Sequence, residues 1–271
     1  MRPLSEQTIL ITGATSGLGR HVAAELARQG AHVLAHGRDL DRLAALREEL
    51  DVDTVRADLA DLRQVERLAE EITQRHERLD VLVNNAGVGF GADESRREES
   101  ADGIELRFAV NYLAGYHLTR KLLPLLAAPA RIVNVASAGQ HEIDFADPLL
   151  RRRYSGTRAY GQSKLAQVMF TIDLAEELHG AGVTVNALHP ATYMDTTMVR
   201  QAGITPLNSV GDGAEATLRL ITDPDLGAVT GHFFNGLRPA HPHRQAEDPV
   251  ARQRLRELSD RLIAEALSSA G

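Results

Sequence analysis

The sequence predicts an α/β fold, a doubly wound sheet of seven parallel strands with helices on both faces. Two observations carry this. Short β-branched runs alternate with helix-period apolar patterns almost to the end of the chain, the rhythm of βαβ units. The stretch ITGATSGLG, Ile11 to Gly19, then places three glycines where the first strand turns into the first helix. With 271 residues and no Pro/Gly-rich linker, the whole chain, 1–271, is expected to form one domain around a sizeable core.

The elements follow in order. TILIT is the first strand and Leu18 to Gln29 the first helix, followed by AHVLAHG, a helix over Leu40 to Leu50, DTVRA, and a helix over Leu62 to His76. VLVN at 81–84 is the fourth strand, and a long helix is expected from about Asp102 to Leu126. RIVNVAS at 131–137, a helix from about Arg158 to His179, and VTVNALHP at 183–190 come next, with a last strand near His232 to Phe234 and a C-terminal helix over about 247–267. Such sheets bind ligands at the carboxyl ends of their strands, which is where every candidate residue below falls.

Composition excludes several functions. A net charge of -7 and no basic run longer than Arg151 to Arg153 argue against a nucleic acid or an anionic membrane as partner. With no cysteine there is no disulfide, thiolate nucleophile or cysteine-ligated metal. HPH at 241–243 is too short a motif for a metal site and reads as a polar loop, as does the Arg151 to Arg153 run. No apolar segment approaches the ~18 residues that would span a bilayer, and no signal peptide is recognisable, so the cytoplasm is the expected location.

The glycine stretch has the spacing G-x-x-x-G-x-G and the strand-to-helix setting of a dinucleotide-binding turn. Gly13 makes the tight turn, Gly17 lets backbone N–H groups approach a pyrophosphate, and Gly19 lets the helix pack closely, its positive end toward the phosphates. The competing reading is a loop capped by Thr15 or Ser16. After the second strand comes Arg38, whose guanidinium suits a ribose 2′-phosphate and favours NADP over NAD. Asp39 lies at the counting distance of a ribose-binding acid but also directly precedes LDRLAAL, as a helix cap would. Asp58, after the third strand, either accepts from the adenine amino group or caps its own turn.

Tyr160 and Lys164 stand four residues apart on a predicted helix and so share one face. A phenol with a pKa of about 10 needs a nearby cation to work as an acid or base near neutrality; Lys164 can supply one, the competing reading being an ordinary helix face on which such a pair is common. Ser137 closes the fifth strand at the same sheet edge, and Asn111 lies in the long helix before it.

In this order TGATSGLG, NNAG at 84–87, Asn111, Ser137 and Tyr160-x-x-x-Lys164 resemble the classical short-chain dehydrogenase/reductase family, over about Thr8 to Pro190. The resemblance implies a single-domain Rossmann fold with NAD(P) and Tyr160 as catalytic acid/base. Lys164 would bind the nicotinamide ribose and lower the Tyr160 pKa, Ser137 would hydrogen-bond the substrate oxygen, and Asn111 would hold a water in a proton relay. Cofactor contacts are implied from Gly13, Thr15, Ser16, Gly17, Leu18 and Gly19 in the glycine turn, and from Arg38, Asp58 and Leu59 around the adenosine. Asn85, Ala86 and Gly87, with Pro190 and Thr196 beyond the sixth strand and Tyr160 and Lys164 themselves, complete the set. DGIELRFAVNYLAGYHLTRKLL and YGQSKLAQVMFTIDLAEEL are similar to the retinol dehydrogenase-like branch, which acts on aldehydes, ketones or their alcohols. Two departures stand out: Ala136 replaces a usual second Ser, and His189-Pro190-Ala191 replaces the usual Pro-Gly.

The expected activity is therefore NADP-dependent hydride transfer between nicotinamide and a carbonyl or alcohol carbon. An NADP-binding sensor without turnover and a redox-neutral cyclase or isomerase remain the alternatives. Substrate recognition is assigned to two insertions, about 139–159 and 192–208, whose Ile143, Phe145, Leu149, Leu150, Tyr193, Met194, Met198 and Leu207 suggest a largely apolar pocket. The apolar stretches LLPLLAA and LAQVMF exceed what one inner face requires, and with the resemblance they predict a homodimer or homotetramer.

Overall fold

The computed structural model describes residues 2–91 and 93–268. Parallel strands β1 (Thr8–Ile11), β2 (His32–Gly37), β3 (Asp53–Arg56), β4 (Val81–Asn84), β5 (Ala130–Val135), β6 (Val183–His189) and β7 (Phe233–Asn235) build one sheet in the order β3-β2-β1-β4-β5-β6-β7. An eighth strand, β8 (Arg238–Ala240), adds antiparallel to β7. The expectation of seven strands, all parallel, is corrected here. Gly236, at a φ of 57°, lets the chain reverse in a two-residue turn, and the hairpin that results runs antiparallel by construction.

Helices α1 (Gly17–Arg28), α2 (Leu40–Leu50), α3 (Leu62–Arg75), α4 (Ala114–Leu122), α5 (Gly156–Glu177), α6 (Thr197–Gln201), α7 (Val210–Thr222) and α8 (Pro249–Ser268) complete the fold. Period-2 alternation divides each strand between two cores. Ile9 and Ile11 face α1 and α7, while Leu10 faces the layer of α3, α4, α5 and α8. None of the described helices is long and apolar enough to cross a membrane.

The helix expected from Asp102 begins only after Glu105. Residues 98–106 are held as a turn by the Glu99–Glu105 bridge, and the Glu105 carboxylate accepts from the Phe108 N–H at 2.8 Å, satisfying a helix-start donor. After Leu106 and Arg107, Phe108–Leu113 forms a π-helix, a widened turn of the sort that recurs at functional sites. It contains Asn111.

Helix α8 lies across α5 and α3. Its Leu255, Leu258, Leu262 and Ile263 enter the core that holds Tyr112, Tyr116 and Phe170. Polar ties flank this contact: Tyr112 Oη to Ser259 Oγ and Tyr116 Oη to Asp260 Oδ1, both 2.7 Å. Arg252 reaches Glu176 at 2.7 Å and Arg256 reaches Asp173 at 2.8 Å. The apolar surplus of LLPLLAA and LAQVMF is thus used within one chain: Leu122, Leu125, Leu126, Leu165, Ala166, Val168, Met169 and Phe170 are all buried. The packing argument for an oligomer loses its ground.

Candidate active site

The switch in strand order falls between β1 and β4, and the segments that leave their carboxyl ends build one wall of the site. Gly13 sits at a φ of 66°, and a Cβ there would lie 2.8 Å from Ala86 Cα, so only glycine fits. Gly17 has a φ of 51°. A Cβ on Gly19 would lie 2.3 Å from the Gly13 carbonyl oxygen, the close helix packing expected of it. Ser16 occupies the N-cap of α1 but its side chain makes no cap bond, and the Thr15 methyl packs at Gly37 instead. Buried Leu18 anchors the helix start. The first-turn N–H groups therefore have no side-chain acceptor, which suits an incoming anion.

NNAG braces this wall. Thr12 Oγ1 accepts from Asn85 N and Ala86 N at 3.0 Å each, and Asn85 Nδ2 donates to the carbonyls of Thr12 at 2.8 Å and Gly13 at 3.2 Å. Asn84 donates to Asn134 Oδ1 at 2.8 Å and Thr119 Oγ1 at 2.9 Å, tying β4 to β5. Sequence reasoning passed over His36. This buried imidazole accepts from Gly13 N–H at Nδ1, 3.2 Å, and reaches the Ala57 carbonyl with Nε2, 3.1 Å. Burial pulls its pKa down to about 4, so it is a neutral strut between the glycine turn and the end of β3.

Around the adenosine corner, Arg38 is exposed beyond β2 and no hydrogen bond or ion pair among the described residues engages its guanidinium. Asp39 is the cap of α2, accepting from Arg42 N at 3.1 Å, which favours the capping alternative. Asp58 accepts from Ala60 N at 3.0 Å, in its own turn, and Leu59 beside it is buried.

The catalytic candidates meet at the carboxyl end of β5. Ser155 caps α5 through Arg158 N, and α5 carries Tyr160 and Lys164 toward Ser137. Tyr160 is half-buried with its hydroxyl end desolvated; this pushes the phenol pKa up, and a hydrogen bond with Ser137 pulls the other way. Ser137 Oγ also accepts from Gly139 N at 3.0 Å. Lys164 is buried, its Nζ 5.7 Å from the Tyr160 ring centroid and bonded to Val135 O at 2.8 Å and Gln167 Oε1 at 2.9 Å. Burial lowers its pKa to about 7. Gln167 was missed, although its i+3 spacing from Lys164 was the available signal. Asn111 Oδ1 accepts from Val88 N at 2.7 Å, while its Nδ2 donates to Val88 O at 3.1 Å and Ser163 Oγ at 2.9 Å. Gly87 lies between the two groups: a Cβ there would stand 3.3 Å from Asn111 Oδ1 and 3.6 Å from Lys164 Nζ.

Pro190 is buried just beyond β6. Thr196 caps α6, and its methyl would lie 3.3 Å from a Cβ on Gly17, so the segment after β6 reaches the glycine turn. The expected pocket residues divide. Ile143 and Leu149 belong to the main core and Leu150 is also buried, so they do not line a pocket; Tyr193 and Leu207 are exposed. Phe145 packs against the main core and Met194 against Gly213, while Met198 lies against Gly89, in the loop after β4. Phe90, in the same loop, was also missed: its ring meets that of Tyr160 edge-on at 4.8 Å. Buried Arg107 fixes this loop, donating to the carbonyls of Gly89 at 3.0 Å and Phe90 at 3.1 Å.

These features recur in known proteins. A family model described as short chain dehydrogenase matches residues 7–206. Human retinol dehydrogenase 13 is 35% identical, covering 95% of this chain and 84% of that relative. The solved structure of an uncharacterized protein from Mycobacterium paratuberculosis superposes with a TM-score of 0.80 at 33% identity, covering 96% of this chain and 94% of the other. A short chain dehydrogenase from Shigella flexneri, solved in complex with NADP, gives a TM-score of 0.70 at 27% identity over 87% of this chain and 99% of that one. With the family model spanning most of its length and its candidate residues gathered at one sheet edge, the chain belongs to the short-chain dehydrogenase family.

Proposed function

We propose that this protein is an NADP-dependent oxidoreductase that interconverts a carbonyl compound and its alcohol, with Tyr160 as general acid/base. The observation that carries the reading is the grouping of Ser137, Tyr160 and Lys164 at the end of β5, with Lys164 Nζ bonded to Val135 O and 5.7 Å from the Tyr160 ring centroid. The cofactor fits the residues present. Gly13 and Gly17 adopt left-handed conformations, Gly19 leaves no room for a Cβ, the N-cap Ser16 of α1 makes no side-chain cap bond, and among the described residues nothing engages the Arg38 guanidinium. The Shigella relative's NADP supports the same choice.

When bound, NADP(H) supplies or takes up the hydride at the substrate carbon. The protein's own groups handle the oxygen. Tyr160 Oη gives its proton to the carbonyl oxygen in reduction and takes one from the hydroxyl in oxidation. Ser137 Oγ holds that oxygen beside the phenol. Lys164, held by Val135 and Gln167 beside the ring, would hold the nicotinamide ribose and, in its protonated form, would favour the phenolate. Asn111 fixes Val88 and Ser163, bracing the turn beside Lys164, with the relay water as its further assigned role.

Phe90 packs against Tyr160 and Met198 lies against Gly89 in the same loop, so an apolar aldehyde, ketone or alcohol is the substrate class; the relatives named retinol dehydrogenases agree with it. The insertions over about 139–159 and 192–208 complete the substrate side. Incubation with NADPH or NADP and a panel of aldehydes, ketones and alcohols, followed by nicotinamide absorbance, tests this. Turnover of apolar members is expected, and flat traces throughout would refute it.

A further inference from the structure

We propose that Arg56 is a second guanidinium for the 2′-phosphate of NADP, acting beside Arg38. This rests on the NADP reading above but names a residue on a different strand. Arg56 ends β3 and pairs in register with Gly37, the last residue of β2. Its exposed side chain folds back over the end of β2, where Nε donates to the carbonyl of Arg38 at 3.1 Å. That bond uses one of five N–H donors in the guanidinium fork. The Nη groups have no hydrogen bond or ion pair among the described residues, and neither does the guanidinium of Arg38.

No carboxylate among the described residues forms an ion pair with either guanidinium. Asp39 is engaged with Arg42, through its backbone N at 3.1 Å and its guanidinium at 3.9 Å. Asp58 accepts from Ala60 N in its own turn. An acidic chain with a net charge of -7 thus tethers one unpaired arginine to the backbone of another at the carboxyl edge of the sheet. Two adjacent cations repel unless an anion joins them. A phosphate monoester near neutrality carries up to two negative charges and three acceptor oxygens, and it matches two forks better than one. The 2′-phosphate is the anion that the NADP reading brings to the end of β2.

Calorimetric titration of 2′,5′-ADP and of 5′-AMP into the parent, Arg56→Gln and Arg38→Gln proteins tests this without turnover. Arg56→Gln is expected to weaken 2′,5′-ADP by about tenfold or more, the worth of a charge-assisted bond, and to leave 5′-AMP within about twofold. Arg56→Lys, which keeps the charge, should recover part of the loss. An equal loss for both probes would mean that Arg56 only braces the turn through the Arg38 carbonyl, and the proposal fails. Unchanged 2′,5′-ADP binding in Arg56→Gln, with a selective loss in Arg38→Gln, would overturn the role of Arg56 and leave the NADP reading standing. No selectivity for 2′,5′-ADP in the parent would overturn both.

Discussion

The ring of Phe90 meets the ring of Tyr160 edge to face, 4.8 Å between centroids and 74° between planes. The contact joins the loop after β4 to the residue assigned to proton transfer. It also puts an apolar side chain against the ring of the residue whose hydroxyl must reach the substrate oxygen. Phe90→Ala should therefore raise KM for apolar substrates, and lower kcat through a less restrained Tyr160, while NADPH binding stays the same. An aromatic pair is worth about 0.5–1.5 kcal/mol beyond its buried area, so an effect of several-fold is expected. Steady-state kinetics with fluorescence titration of NADPH separate the two; an unchanged KM would show that Phe90 does not face the substrate.

Tyr160→Phe removes one hydroxyl and keeps the ring contact with Phe90. NADPH should bind about as well as to the parent while turnover falls by about 10²- to 10⁴-fold, the usual worth of general acid/base catalysis. Parental turnover on a confirmed substrate would end the assignment.

Lys164 ties stability to pH. In the unfolded chain a lysine keeps its proton to about pH 10.4, whereas burial brings Lys164 in the folded protein down to about 7. Between these values the unfolded state binds more protons, so the nucleotide-free protein gains stability as pH rises from about 7 toward 10. Lys164→Met removes this contribution. Denaturant unfolding of both proteins at several pH values should show the parent gaining on the variant across that window; a constant difference would mean that Lys164 keeps its ordinary pKa when folded.

Helix α8 lies across α5 and α3 and is tied to Tyr112 and Tyr116, and a monomer at micromolar concentration by light scattering is the expected outcome. Deleting residues 249–271 should expose Tyr112, Tyr116 and Phe170 and produce association or aggregation. A full-length dimer that survives dilution would show that some other face is used.

Much of this was legible before any coordinates. The glycine turn was legible from its strand-to-helix setting, Ser137 and the Tyr160–Lys164 pair from their resemblance to the short-chain dehydrogenase pattern, and Asp39 from standing just before an amphipathic run. What stayed hidden depends on distance in space. Nothing in AHVLAHG distinguishes a core histidine from the strut that His36 makes between Gly13 and Ala57. Apolarity marked Ile143, Leu149 and Leu150 for burial, but whether the burial is against core or ligand is decided by tertiary packing. Pro239 lies in the run Arg238–Ala240, and a proline demotes so short a run as a strand candidate. The late start of the Asn111 helix follows from the Glu105 carboxylate, a side-chain bond that periodicity does not register.

That proline has a consequence for how the sheet ends. In a hairpin with a two-residue turn the flanking pair, Asn235 and Arg238, exchanges hydrogen bonds and the next pair, Phe234 and Pro239, does not. The Pro239 nitrogen therefore points outward, at the middle of a three-residue strand, and has no hydrogen to offer. A neighbouring chain that tried to zip onto β8 would find its central donor missing. The last strand acts as a selvedge, finishing the woven edge so that nothing further can be stitched to it.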